Sequence, residues 1–214
     1  MAERITELAK RLQPYLLKVA SSIVSGAINA SEGPGIDVVG SIIGLGGDTI
    51  LLYDSAGAPV AEYGATEAGL TAALAAATSG QVVLLPACTI AGSHTVPALV
   101  HLQGLVTRAT ILTGTLTVSP GGTVTGLSVT VTANSADELD GVIGPGSGAA
   151  YLQDCVITVT QSGAGASHGI HGGAGDTYLK NCSVETVAGT DLHRTTGSIY
   201  ADETALLGLV KCSE

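Results

Sequence analysis

The segment YLQDCVITVT at 151–160 is written again, with substitutions, as YLKNCSVETV at 178–187. Each copy has Tyr-Leu, two polar residues, a cysteine and then apolar residues at alternate positions. The same junction recurs along the chain as Gly104-Leu105, Gly126-Leu127, Asp154-Cys155, Asn181-Cys182 and Gly208-Leu209. Its apolar member advances by 22, 28, 27 and 27 residues. A second mark keeps a related period: DGVIG at 140, HGIHG at 168 and TGSIY at 196 are spaced by 28. Repeats of this length built from alternating strands are the pattern of a solenoid, in which each coil covers the apolar face of the one before.

That architecture assigns a role to each part of the repeat. Coils stacked about 4.8 Å apart place equivalent side chains in rows. Leu105, Leu127, Cys155, Cys182 and Leu209 are therefore expected to form one internal column. The residue before each sits at a corner where φ turns positive, a conformation that Gly, Asn and Asp tolerate. Stacked cysteines have parallel Cβ directions, whereas a disulfide needs them facing each other, so Cys155 and Cys182 are expected as free thiols. The four cysteines, Cys88 and Cys212 included, show no CxxC pair or zinc-ligand spacing.

Ahead of the repeats the period changes. Residues 1–30 form an N-terminal segment in which Ile5, Leu8, Leu12, Tyr15, Val19 and Ile23 follow 3-4 spacing, with Pro14 as a kink. A seam this short needs a mate, so this helix is read as an attachment or oligomerisation element. The run YLLKVASSIVSGAINA is no convincing signal peptide, because Glu3 and Glu7 precede it and Lys18 lies inside it. Residues 31–62 read as a Gly-rich neck followed by a β-hairpin around SAGAP. In 65–80, Leu70, Ala73, Leu74 and Ala77 share a helical face, with Gly80 expected as the left-handed stop. The region 63–214 is then a capping helix and a short parallel solenoid, making the fold mainly β.

The stretch YGATEAGLTAALAAATSGQVVLLPACTIAGSHTVPALVHLQG (63–104), with the later LxNCxV coil, resembles the right-handed parallel β-helix of the pectate-lyase-like superfamily, as found in phage tailspikes and tail fibres. The resemblance covers about 63–214 and is specific to fold rather than activity. It implies a homotrimeric component of a virion or extracellular particle, joined to other tail or baseplate proteins through the N-terminal helix, with a cell-surface glycan as a candidate partner. A polysaccharide-degrading enzyme of the same fold and a host cell-surface adhesin are the rival readings. After the GLVKC strand an open strand edge is expected, which calls for a partner or for a missing continuation of the chain.

Catalysis on this fold would need adjacent carboxylates, one to donate a proton and one to act as base or nucleophile. The acidic candidates are Asp137, Glu138, Asp140, Asp176, Asp191, Asp202 and Glu203. The period stacks Asp140 on His168, with Thr196 next in the row, and this is the best pair available. No second carboxylate is expected beside it. His168, His171 and His193 are candidate metal ligands, but strict alternation would put 168 and 171 on opposite sides of a strand. No metal site and no catalytic residue are therefore assigned. Arg108 and Arg194 are isolated, which disfavours a lyase. Gly-rich GPGSG and GAGAS fall in turns, so no cofactor site is read from them. With no Trp or Phe, aromatic surface falls to the tyrosines, and Tyr151 and Tyr178 are expected to stack as a structural ladder. The long Gly/Ser-rich stretches at 132–149 and 161–176 would leave one side of the tube, and any binding is expected there. A net charge of −10 with eight scattered Lys and Arg excludes a phosphate-tracking surface, and no apolar run approaches a membrane span.

Overall fold

The computed structural model describes residues 49–207, and 209–212 as backbone. The N-terminal helix expected in 1–30 and the neck up to residue 48 lie outside the described residues. The described chain opens with a hairpin, β1 (Thr49–Tyr53) and β2 (Pro59–Gly64), then helix α1 (Glu67–Ala76). Everything after it is strand and turn. A first parallel stack holds β3 (Val82–Leu85), β6 (His101–Gly104), β9 (Thr123–Thr125), β12 (Ala149–Gln153), β15 (Asp176–Lys180) and β18 (Ile199–Asp202). A second holds β4 (Thr89–Ala91), β7 (Ile111–Thr113), β10 (Ser128–Ala133), β13 (Val156–Gln161), β16 (Ser183–Val187) and β19 (Ala205–Leu206). The third holds β5 (His94–Val96), β8 (Leu116–Val118), β11 (Leu139–Ile143), β14 (Ser167–Gly172), β17 (Thr190–Arg194) and β20 (Leu209–Cys212). Each coil thus contributes one strand to each of three sheets, and the fold is a parallel β-solenoid.

The start of the tube is closed by local chemistry. Thr66 caps α1, its Oγ1 accepting from the Gly69 N–H at 3.1 Å, and Glu67 sits in the first turn where the helix dipole favours an anion. Leu70, Ala73 and Leu74 are buried. The helix ends at Ala77 in extended conformation (φ −68°, ψ 136°), not at the expected glycine. Gly80 does take a positive φ of 82°, but it shapes the following turn, where Gln81 Oε1 accepts from the Thr78 N–H. The hairpin expected as a neck is continuous with the first sheet, since β1 pairs antiparallel with β3 (Leu52 against Val83).

Inside the tube, inward residues are aliphatic and almost wholly removed from water. The first sheet supplies Val83, Leu85, Leu102, Val124, Leu152 and Leu179; the second supplies Ile90, Leu112, Val129, Ile157 and Val184. Burial of each such side chain contributes about 1.5–3 kcal/mol before chain entropy is counted. The register makes this a column: Leu152 lies on Val124 below and Leu179 above.

The expected corners at Gly126 (φ 65°), Asp154 (φ 53°) and Asn181 (φ 49°) do take positive φ. Asp154 and Asn181 are also joined along the axis, with Asn181 Nδ2 donating to Asp154 Oδ1 at 2.6 Å. The expected column is correct at Leu127, Cys155 and Cys182, which are 0–3 % exposed and adjacent by register. It fails at both ends. Tyr178 lies on Tyr200, only 22 residues later, so this coil is shorter than the 27 between Tyr151 and Tyr178. The next corner is consequently Glu203 (φ 48°), while Leu209 lies in the third sheet opposite Thr190. At the other end Gly104 has no positive φ and Leu105 is only half-buried, because the turn after β6 is longer. Thr110 fills the inward position there, fully buried, and its hydroxyl donates to the Pro86 carbonyl at 2.9 Å.

Cys155 and Cys182 are free thiols, as expected. The Cys155 thiol is held well above its ordinary pKa by its interaction with the Cys182 thiol and by burial. In the native protein Cys155 should resist iodoacetamide at pH 8 and react at once in guanidinium, as followed by mass spectrometry; fast native labelling would refute the column. Asn181→Ala should lower stability by about 1–2 kcal/mol in urea melts, since alanine is strained at positive φ, while Asn181→Gly should lose far less.

Candidate functional site on the third sheet

Strands β11, β14 and β17 belong to three successive coils, and their outer surface carries a histidine–carboxylate cluster. The cluster exists because side-chain alternation breaks at a glycine. A Cβ at Gly169 would fall 2.3 Å from Val184 Cγ1 and 3.0 Å from Thr186 Oγ1, so this position faces the interior. Ile170, the next residue, is also in the core at 0 % exposure. Two consecutive inward positions put His168 and His171 on the same outer side. The strand below does the same: a Cβ at Gly141 would meet methyl carbons of Ile157 and Val159 at 2.8 Å, and Val142 is buried. The expectation that 168 and 171 face opposite ways is corrected by this paired inversion.

The register stacks Asp140 on His168 and His171 on His193. The third member expected in the first row, Thr196, is not there; the shorter coil brings Thr190 onto His168 instead. His168 Nδ1 lies 2.9 Å from Asp140 Oδ1 and 3.2 Å from Glu138 Oε1. His171 Nδ1 lies 3.1 Å from Asp140 Oδ2 and 3.1 Å from Glu138 Oε1. A second carboxylate therefore does arrive beside the Asp140–His168 pair, contrary to expectation. His193 completes the group, its ring stacked on His168 with centroids 4.1 Å apart and tilted against His171 at 4.9 Å. Burial lowers the pKa of His193, with His168 and His171 adding to the effect and Glu138 and Asp140 opposing it.

Glu138 precedes β11, in a turn that is built from below and above. Gln161, only 3 % exposed, accepts from the Ser135 and Gly163 N–H groups and donates to the Asp137 carbonyl. The Ser135 hydroxyl accepts from the Asp137 N–H at 2.9 Å. A Cβ at Gly165 would fall 2.0 Å from the Asp137 carbonyl oxygen, so the two turns are in direct backbone contact. The stretches 132–149 and 161–176, expected as long loops, each contain a strand of the third sheet, and Asp140, His168 and His171 lie on those strands.

The other candidates are not gathered. Asp137 pairs with Ser135 at the surface, Asp176 accepts from the Ser198 N–H at 3.2 Å, and Asp202 and Glu203 are exposed on the first sheet and its corner. Asp191 is buried on β17, and Arg108 is exposed in the turn after β6. Arg194 follows His193 on β17. The tyrosine ladder is present and longer than expected. Tyr151 stacks on Tyr178 (5.1 Å, 15°) and Tyr178 on Tyr200 (4.7 Å, 12°). These rings border a groove of about 550 Å³ with Gln153, Lys180 and Asp202. Ring faces in such a ladder are spent on one another, so the row presents mainly edges to the groove.

His193 and Glu138 were the members that period and alternation did not bring to the site. The available signal was Gly at 141 and 169, in equivalent positions of DGVIG and HGIHG, each beside an outward polar residue. Gly169→Ala should overpack the interior at Val184 and cost about 1–3 kcal/mol, measured by urea denaturation; an unchanged midpoint would refute the inversion. No family model, no curated protein and no solved structure matched the chain.

Proposed function

We propose that this chain is a non-catalytic β-solenoid component of a phage or phage-like fibre or tailspike, homotrimeric, of the right-handed pectate-lyase-like kind, that displays its side walls to a cell-surface glycan. The observation that carries the reading is the use of polar and aromatic outer side chains as axial ladders. Tyr151–Tyr178–Tyr200, Asp154–Asn181 and Asp140–His168 each satisfy one another from coil to coil, which is how a shaft is stiffened. A glycosidase needs two carboxylates free to flank a sugar. Here Glu138 and Asp140 converge on the same two imidazoles, which supports a structural reading over an enzymatic one. Among the described residues no helix is long and apolar enough to cross a membrane.

The trimer is supported by the second sheet. Its outward rows are Thr89, Ile111, Ser128, Val156, Ser183 and Ala205, then Ala91, Thr113, Thr130, Thr158 and Glu185. One charge stands in eleven positions, on a chain of net charge −10. Like-charged copies approach most easily across such a face, and interface cores are depleted of charge in the same way.

The purified chain should sediment at the mass of three chains, and Thr130→Lys with Thr158→Lys should shift it to monomer without loss of β-sheet signal. It should leave the viscosity of host polysaccharide unchanged. A monomeric wild-type protein would overturn the trimer, and a falling viscosity would favour the glycan-cleaving enzyme.

A further inference from the structure

The cluster on β11, β14 and β17 has a composition that stabilising a shaft does not require. Two imidazoles facing two carboxylates form a closed hydrogen-bonded set, with each Nδ1–H serving as a donor. A third imidazole adds nothing to that set. His193 is nevertheless packed onto both rings, and its Nδ1 is buried without a hydrogen-bond partner. A buried polar nitrogen left in this state costs about 1–3 kcal/mol unless something else satisfies it.

Glu138, His168, His171 and His193 each offer one ligand atom, and these four atoms lie within 4.8 Å of one another. Tetrahedral zinc with metal–nitrogen bonds near 2.0–2.1 Å needs ligand atoms about 3.3 Å apart. Side-chain rotation alone spans that difference, because Glu138 is exposed and His171 and His193 are only half-buried. The rings also come from fixed backbone positions on paired strands, so the set is largely assembled in advance. We propose that these four residues bind one Zn²⁺ ion as a structural clip across three successive coils.

The donor set decides the metal class. Three imidazole nitrogens and one carboxylate oxygen suit zinc, whereas Ca²⁺ and Mg²⁺ take oxygen ligands throughout. Asp140 faces the same two nitrogens and brings a second carboxylate to balance the dication. Gln161 holds the turn that carries Glu138, which makes it a positioning residue for the site. Because the ligands come from the turn before β11 and from β14 and β17, the ion would add a side-chain link across three successive coils, and its binding free energy adds to stability.

The test uses the full chain, stripped with chelator and titrated with ZnCl₂ by calorimetry. One ion per chain at micromolar or tighter affinity is expected, with a rise in Tm. X-ray absorption of the loaded protein should show an N/O shell with imidazole scattering. His193→Gln and Glu138→Gln should each weaken zinc by at least about a hundredfold, whereas His101→Gln, on the first sheet, should bind normally. No saturable zinc binding below 100 µM in the wild-type chain would overturn the proposal. So would variants that bind as tightly as wild type, or an absorption shell lacking imidazole. The wild-type titration and spectrum decide the matter even if a variant fails to fold.

Discussion

Axial repetition of like on like is the constraint from which the rest follows. A parallel stack brings each residue against its counterpart in the next coil, so every position is chosen for its tolerance of itself. Aliphatic residues tolerate this well and fill the interior. Cysteine tolerates it as a small buried hydrophobe (Cys155 on Cys182). Aromatic rings tolerate it by offset stacking, as in the tyrosine row. Charge tolerates it poorly, which is why Asp154 is followed by Asn181 and Asp140 by His168 rather than by further carboxylates.

The same constraint explains where chemistry can gather. On a solenoid wall, groups meet along the axis only if neighbouring coils hold register, and across a strand only if alternation is broken. Both conditions are met on the third sheet. Gly141 and Gly169 lie in adjacent coils, each admitting a second inward residue, so the outer side chains on either side of that point face the same way. The cost is a pair of interior positions without side chains. The gain is three imidazoles and two carboxylates within contact of one another.

Much of this was legible beforehand, and the departures have two causes, a change of coil length and a break in alternation. The corners at Asp154 and Asn181, the free thiols, the tyrosine stack and the Asp140–His168 contact all lie within coils of nearly equal length, where a constant period is a sound guide. Glu203 and Thr190 stand where Gly208 and Thr196 were expected because the coil from Tyr178 to Tyr200 drops residues from its turns. Turn length is weakly constrained by chain entropy, and a period cannot foresee where it changes. The cluster was half legible: stacking found Asp140 and His168, while alternation misdirected His171 and left Glu138 and His193 unconnected.

The residues alone determined that the repeats would wind into stacked coils, since corner tolerance and alternating apolar positions are local properties that recur in register and that a stack of coils satisfies together. They also determined which residues bear on one another wherever the coil length is constant. Which residues share the outer wall at the third sheet was decided only by the packed interior. Whether the side chain at 169 points in or out depends on Val184 and Thr186 one coil away, and that contact exists only once the strands have been laid together.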